Sequence, residues 1–488
     1  MTEVINKELI NTRFLFSLLL LFCFAANSIA QTYSINGKVL GEGKPLENVV
    51  VTDGRNVTVT NAEGVYTLDV SPYSTFVYLS TPTGYLPNDS LNVPLFFKPL
   101  NGVVDSVYDF ELIKNEKNDY NHIVLVQADP QFFREEQFDL YEEVIDDCIE
   151  TIASYKHQDV FGIDCGDLTA DRSDFYSPYI NILNKTGVPF YRVLGNHDME
   201  NGGRTKEESV HQFESYFGPS NYSFNRGNAH YIVLNNVYYL GRPYSYMGYI
   251  DEQTYSWIKQ DLSYVPEGTL VFVAMHIPGR LTEEQKPFSY NQENIRQQTV
   301  NINPLFEILE PYNAHIFTGH EHYNKNIIHS PTLYEHNTAA ISGAFWQGDY
   351  CWDGTPIGYG VYEVTGSEVR WYFKSAGHPR EHQMRITPVG SSYEHPDEII
   401  VNVWNWDKNW KVEWTENGEE RGEMTQFTGL DPATAEMCAD KDKLEFKWLS
   451  PVSTEHLFKA TPQSAHSKVE VIATDSFGQV YIERLHTE

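Results

Sequence analysis

Residues 189–200 read PFYRVLGNHDME. An apolar, strand-like run from Pro189 to Leu194 stops at Gly195, and Asn196, His197 and Asp198 follow at once. These three side chains can bind a metal, donate a proton and hold the donor in place. The same pattern, an apolar strand ending in Asp, Asn or His, recurs along the chain. LVQADPQ ends in Asp129 and Gln131, FGIDCGDLTAD carries Asp167, VFVAMHIPG carries His276, and HIFTGHEH carries His320 and His322. A turn could hold any one of them by accident, and a lone strand-end histidine is usually a satisfied structural residue. Their order and common placement predict one metal site, fed by the C-terminal ends of several strands.

The chain has 488 residues, enough for two or three domains. Its formal net charge of -32 argues against nucleic acid or an anionic membrane surface as the main partner. An anionic substrate must therefore be drawn in locally, by metal ions or a few placed cations. At the N-terminus, Lys7 and Arg13 precede the run FLFSLLLLFCFAA, and Ser28-Ile29-Ala30 puts small residues where a signal peptidase cuts. The run is shorter than the ~20 residues of a membrane helix, so residues 1–30 are expected to be a removed signal peptide rather than a retained anchor. Leu21 and Phe22 make Cys23 a poor lipidation site. The expectation is an exported chain, periplasmic or extracellular, with no transmembrane segment after signal removal. The remaining Cys148, Cys165, Cys351 and Cys438 lack metal-knot or disulfide-framework spacing.

Residues 31–115 read as an all-β module, with short β-rich runs between Gly, Pro and Asn turns and a hairpin loop expected at Asn61 to Gly64. Its pattern resembles the carboxypeptidase-regulatory-like β-sandwich. From residue 120 to 378 strands and helices alternate, which predicts an α/β domain, including a helix over 135–155 and strand character at Gly343-Ala-Phe-Trp. Residues 385–488 read as a third, all-β domain in which IIVNVWNW, WKVEWTENG, KLEFKWL and VEVIATDSFGQVYIERL are strands. Trp404, Trp406, Trp410 and Trp414 read as aromatic packing in preference to a ligand-stacking surface.

Asp129, Gln131, Asp167, Asn196, His276, His320 and His322 suit two divalent ions such as Mn, Fe, Zn or Co. Two carboxylates leave a surplus of positive charge that fits a phosphoryl group, and Asp167 can bridge. Ions ~3.5–4 Å apart can hold a hydroxide in line with phosphorus. His197 is then free to protonate the leaving oxygen, oriented by Asp198. Arg204 and Arg280 follow the motifs closely enough to bind a phosphate oxygen, and Phe345 and Trp346 could stack on a base, sugar or lipid. A solvated loop arginine and core aromatic packing are the plain alternatives.

The order Asp-x-Gln, Gly-Asp, Gly-Asn-His-Asp, strand-end His and Gly-His-Glu-His resembles the calcineurin-like metallophosphoesterase superfamily, of the exported bacterial type with N- and C-terminal accessory domains. The resemblance implies a two-sheet sandwich flanked by helices. It assigns Asp129, Gln131, Asp167 and His322 to one metal and Asp167, Asn196, His276 and His320 to the other, with His197 as acid. The usual first motif is Asp-x-His. Here Gln131 offers a neutral, weaker oxygen, which favours a harder ion and resembles members that cleave nucleotide diphosphate bonds. The expected activity is hydrolysis of a phosphodiester or pyrophosphate in a small, glycan-linked or lipid-linked substrate. The alternatives are a phosphomonoesterase with the same site, or a secreted surface- or glycan-binding protein with a weakened one.

Overall fold

The computed structural model describes residues 32–283 and 288–485, so the expected signal at 1–30 lies outside the described residues. Among the described residues no helix is long and apolar enough to cross a membrane.

The centre is a sandwich of two sheets. The first runs Phe190–Arg192, Asp159–Asp164, Asn121–Gln127, Gly358–Thr365, Glu368–Ser375, with the first three strands parallel. The second runs Tyr222–Arg226, Ala229–Val233, Leu270–Ala274, Asn313–Thr318, Leu333–Asn337, Lys325–Ser330, and its four inner strands are parallel. The parallel strands are apolar on both faces because both faces are covered. Between the sheets, Val124, Val126, Phe161, Ile163 and Val193 meet Phe224, Tyr231, Val233, Phe272 and Phe317. Helices Gln137–Ser154 and Tyr176–Leu183 cover the outer face of the first sheet, and helices Glu252–Leu262 and Asn303–Leu309 that of the second. Parallel strands of both sheets end on the same side, which is where an α/β fold collects its ligands.

The N-terminal module has two sheets around Val39, Val51, Leu68 and Val77. Asn61 to Gly64 is a turn, with the Asn61 carboxamide oxygen accepting from the Glu63 and Val65 amides, but its flanking strands join different sheets and form no hairpin. The C-terminal domain packs two four-stranded sheets face to face and adds one helix, Pro432–Ala439. Trp404, Trp410 and Trp414 are buried, as packing residues should be. The four cysteines of the described residues are free and buried.

Two expected strands are absent. Gly343 to Trp346 is a tight turn, with φ of 57° at Phe345 and 60° at Trp346. KLEFKWL is an irregular loop whose Leu444 and Leu449 pack on Ala344 of the catalytic domain. Its apolar alternation serves a docking contact and not a sheet.

One buried carboxylate ties the C-terminal domain to the central one. Asp353 accepts from the Asn324 amide at 2.9 Å, from the Thr355 amide at 3.0 Å and hydroxyl at 2.7 Å, and its Oδ2 lies 2.9 Å from His456 Nε2. Asn324 is two residues beyond His322, so this link also holds a ligand loop. Asp353→Ala leaves several buried donors unsatisfied, and urea unfolding should show a loss of about 3 kcal/mol or more. A loss below about 1 kcal/mol would remove Asp353 as the link.

Candidate metal centre

The expected ligands converge at the strand ends. Asp129, Gln131, Asp167, Asn196, His276 and His322 are buried, and His320 is half-buried. Asp129, Gln131, Asp167, His320 and His322 have positive φ, from 46° at Gln131 to 73° at His320. Non-glycine residues avoid this region at a cost of about 1–2 kcal/mol each. Five together mark a site whose geometry is held against local preference.

Close approach explains the glycines. A Cβ on Gly195 would lie 2.0 Å from the Asp167 amide nitrogen and 2.2 Å from its Oδ1. A Cβ on Gly319 would lie 2.6 Å from Asp129 Oδ2 and 2.7 Å from the Ala128 Cβ. The backbone that presents each ligand must pass against the next ligand, so no side chain fits.

Four donors face one point. His276 Nε2 lies 3.0 Å from Asn196 Oδ1, 3.3 Å from Asp167 Oδ2 and 3.1 Å from His320 Nδ1. The Cys165 carbonyl accepts from His276 Nδ1 at 2.8 Å, so Nδ1 carries the hydrogen and Nε2 is left to bind. The ligating atoms of Asp167, His276 and His320 all lie within 4.8 Å of one another. Gln131 Nε2 donates to the same Asp167 Oδ2 at 3.3 Å, and the buried Gln131 Oε1 has no hydrogen-bond partner. His322 Nδ1 donates to the Gly343 carbonyl at 2.9 Å, and its Nε2 lies 3.7 Å from Asp129 Oδ1. The two donor groups share Asp167.

The electrostatics call for positive charge there. Burial pushes the Asp129 carboxyl well above its usual range. Burial also acts against Asp167, but the His276 and His197 imidazoles outweigh it and hold this carboxyl low. Burial lowers His322 to about 4 and lowers His320 as well, so both rings are neutral donors at pH 7. An orphaned amide oxygen, facing imidazole nitrogens and a shared carboxylate fit divalent ions bound by oxygen and nitrogen.

The comparisons agree. Residues 122–324 match the family model described as calcineurin-like phosphoesterase, 33–115 match the N-terminal model of calcineurin-like phosphoesterase, and 335–481 match its C-terminal model. The chain belongs to the calcineurin-like phosphoesterase family. It is a metal-dependent hydrolase of phosphoric esters, and the family's centre is dinuclear. No curated protein matches the chain. Among solved structures it is similar to a dimetal phosphatase from Danio rerio, at 13% identity over 52% of this chain and 96% of that one, with a TM-score of 0.38. It is similar also to a purple acid phosphatase from yellow lupin, Lupinus luteus, at 9% identity over 68% and 67%, TM-score 0.36. A 5'-nucleotidase from Candida albicans follows at 14% identity over 53% and 51%, TM-score 0.29.

In this phosphoesterase the orienting carboxylate differs from the expectation. His197 Nδ1 lies 2.8 Å from Asp171 Oδ2, and Asn201 Nδ2 donates to Asp171 Oδ1 at 2.9 Å. Asp198 instead accepts from the Gly195 amide at 2.9 Å, the Leu168 amide at 3.2 Å and the Tyr176 hydroxyl at 3.1 Å. Its carboxylate turns back into the loop, so it positions the Gly195 and Asp167 segments and does not touch the imidazole. Burial opposes charge on His197, but the Asp167 and Asp171 carboxylates outweigh it and raise the imidazole to about 9.

The expected substrate contacts mostly lie elsewhere. Arg204 is exposed and paired with Glu208, four residues on. Arg280 donates to Asn303 Oδ1 at 2.5 Å and lies over Phe306, where it lines a separate cleft. Trp346 is a packing residue: its Nε1 donates to the Pro130 carbonyl at 2.8 Å and its ring stacks on Phe132 at 5.6 Å. Phe345 does face the site, 4.6 Å from the His322 ring. The sequence reading missed Arg296, which lies 4.5 Å over Tyr246, a ring 6.1 Å from His320.

Two measurements check this geometry. Gly319→Ala should cut bound manganese, read by elemental analysis, by at least about half, because the added Cβ displaces Asp129. Metal content equal to wild type would show that the close approach is unimportant. Asp171→Asn should lower kcat about ten- to a hundredfold without changing metal content, whereas Asp198→Asn should disturb both. An Asp171→Asn variant with wild-type kcat would return the orienting role to Asp198.

Proposed function

We propose that this enzyme hydrolyses a phosphodiester or pyrophosphate bond, with His197 as general acid. The observation that carries the reading is the charge around the centre. Arg204 is taken by Glu208 and Arg280 by Asn303. Neither of these guanidiniums faces the substrate, so beyond the metals the positive charge on offer is limited to His197 and to Arg296 at the edge. That suits phosphorus bearing one negative oxygen, as in a diester or an internal phosphate, better than a dianionic monoester.

Asp129, Gln131, Asp167 and His322 would hold one ion, and Asp167, Asn196, His276 and His320 the other. When bound, the pair neutralises phosphoryl charge and supplies a water-derived nucleophile. Oxygen and imidazole donors without thiolate suit Mn, Fe, Zn or Co, and the amide of Gln131 favours the harder of these. His197 does not ligate in this scheme. Asp171 holds its Nδ1, so Nε2 is the ring nitrogen that can give a proton to the leaving oxygen. The backbone amide of His197 donates to Asp167 Oδ1 at 2.7 Å, which ties the acid to the shared carboxylate.

One observation favours the phosphomonoesterase reading. Arg296 Nε is buried without a hydrogen-bond partner, and this guanidinium could meet the second charge of a monoester. Lys7, Arg13 and the apolar run after them support export to the periplasm or beyond, with a mature chain of residues 31–488.

The test compares bis-p-nitrophenyl phosphate with p-nitrophenyl phosphate, using manganese-loaded enzyme. The expected result is preferred turnover of the diester, lost on chelation and lowered about 10²–10⁴-fold by His197→Ala. Preferred monoester turnover, abolished by Arg296→Ala, would establish the monoesterase instead. No turnover by a chain that cannot be loaded with metal would restore the surface-binding reading.

A further inference from the structure

We propose that the C-terminal domain builds one wall of the substrate site, and that this wall binds a planar aromatic group carried by the phosphoester. The inference rests on the diesterase reading above and names the substrate class it would take.

Residues 443–449 form a loop where a strand was expected. It brings Phe446 and Trp448 to the edge of the metal centre. Trp448 is 59% exposed. Its ring lies 5.3 Å from Phe345 and 6.1 Å from Trp352. Both of those rings lie against the ligand His322, Phe345 at 4.6 Å and Trp352 at 5.5 Å, with interplanar angles of 31° and 28°. Trp448 is thus one ring removed from a metal ligand. A group attached to a phosphoryl centre bound there would meet it directly.

The wall is held in place from both sides. Arg134, three residues beyond Gln131, is ion-paired with Glu445. The Glu445 amide donates to Gln347 Oε1 at 2.7 Å, and the Val452 amide donates to the Trp352 carbonyl at 2.9 Å. Phe446 packs 5.1 Å from Phe133 and 5.8 Å from Phe345. A large aromatic left open to water beside a reactive centre is a stacking surface, because half-buried ring neighbours support it on one side while the other stays free. The Arg134–Glu445 and Lys447–Asp442 pairs bound the patch with charge. That limits it to something the size of a ring and disfavours a lipid chain or a membrane.

The test measures binding and turnover by the full, manganese-loaded chain. Binding of diphenyl phosphate and diethyl phosphate, both monoanions, is followed by titration calorimetry. Diphenyl phosphate should bind at least about tenfold tighter, Trp448→Ala should erase most of that difference, and Trp448→Phe should keep most of it. Because Trp448 is exposed, its truncation should leave the thermal midpoint near wild type. Turnover of bis-p-nitrophenyl phosphate should show the same substitution mainly in KM. Equal affinity for the two ligands, or an aromatic preference untouched by Trp448→Ala, would overturn the proposal even if diester turnover is established. So would dioctyl phosphate binding tighter than diphenyl phosphate through Trp448, since the wall would then be a lipid site. Conversely, an aromatic preference carried by Trp448 in a protein that cleaves no diester would sustain the wall and reject the diesterase reading.

Discussion

The carboxylate of Asp167 is the constraint on which the rest of the structure depends. It is 1% exposed, and an isolated buried carboxylate would be strongly disfavoured as an ion. It is kept ionised by concentrating partners on it: the His197 amide, the Gln131 amide group and the His276 imidazole. Strained backbone at five of the candidate ligands and a glycine pressed against Asp167 follow from bringing strand ends from two sheets to one group. The sandwich is what makes that convergence possible. Its parallel strands finish together, so side chains far apart in sequence arrive within bonding distance of one point.

The convergence of the candidate ligands was legible because metal chemistry leaves a pattern that does not depend on tertiary detail. Apolar runs end in Asp, Asn or His beside glycine, and the α/β class follows from the alternation of strands and helices, while the two-sheet arrangement came only with the family resemblance. What could not be read was direction. Asp198 adjoins His197 in the chain, but in a tight turn successive side chains diverge, and its carboxylate returns to the Gly195 amide. Asp171 reaches the imidazole from the preceding loop, four residues past Asp167. Arg204 had a local clue in Glu208, four residues on and placed to capture it. Arg280 had none, since its cleft is built by Asn303 and Phe306.

The same distinction explains the misread strands. KLEFKWL has the alternation of a half-buried strand, and it is half-buried, but against another domain. Gly343 to Trp346 has strand-like side chains on a backbone with positive φ. In both places the residues pack beside the candidate metal centre, and local pattern gives way to tertiary contact. The consequence is a C-terminal domain docked beside the candidate ligands. The central domain carries the candidate ligands and His197, while Asp353 with His456, and Glu445 with Arg134, bring the C-terminal domain to their loops.

The account stands or falls on two ions sharing Asp167. Electron paramagnetic resonance of the manganese-loaded chain tests this most directly. The account predicts the signature of an exchange-coupled pair, replaced by that of isolated ions in Asp167→Asn. Isolated-ion spectra from the wild-type chain at saturating manganese, or no bound manganese at all, would contradict it.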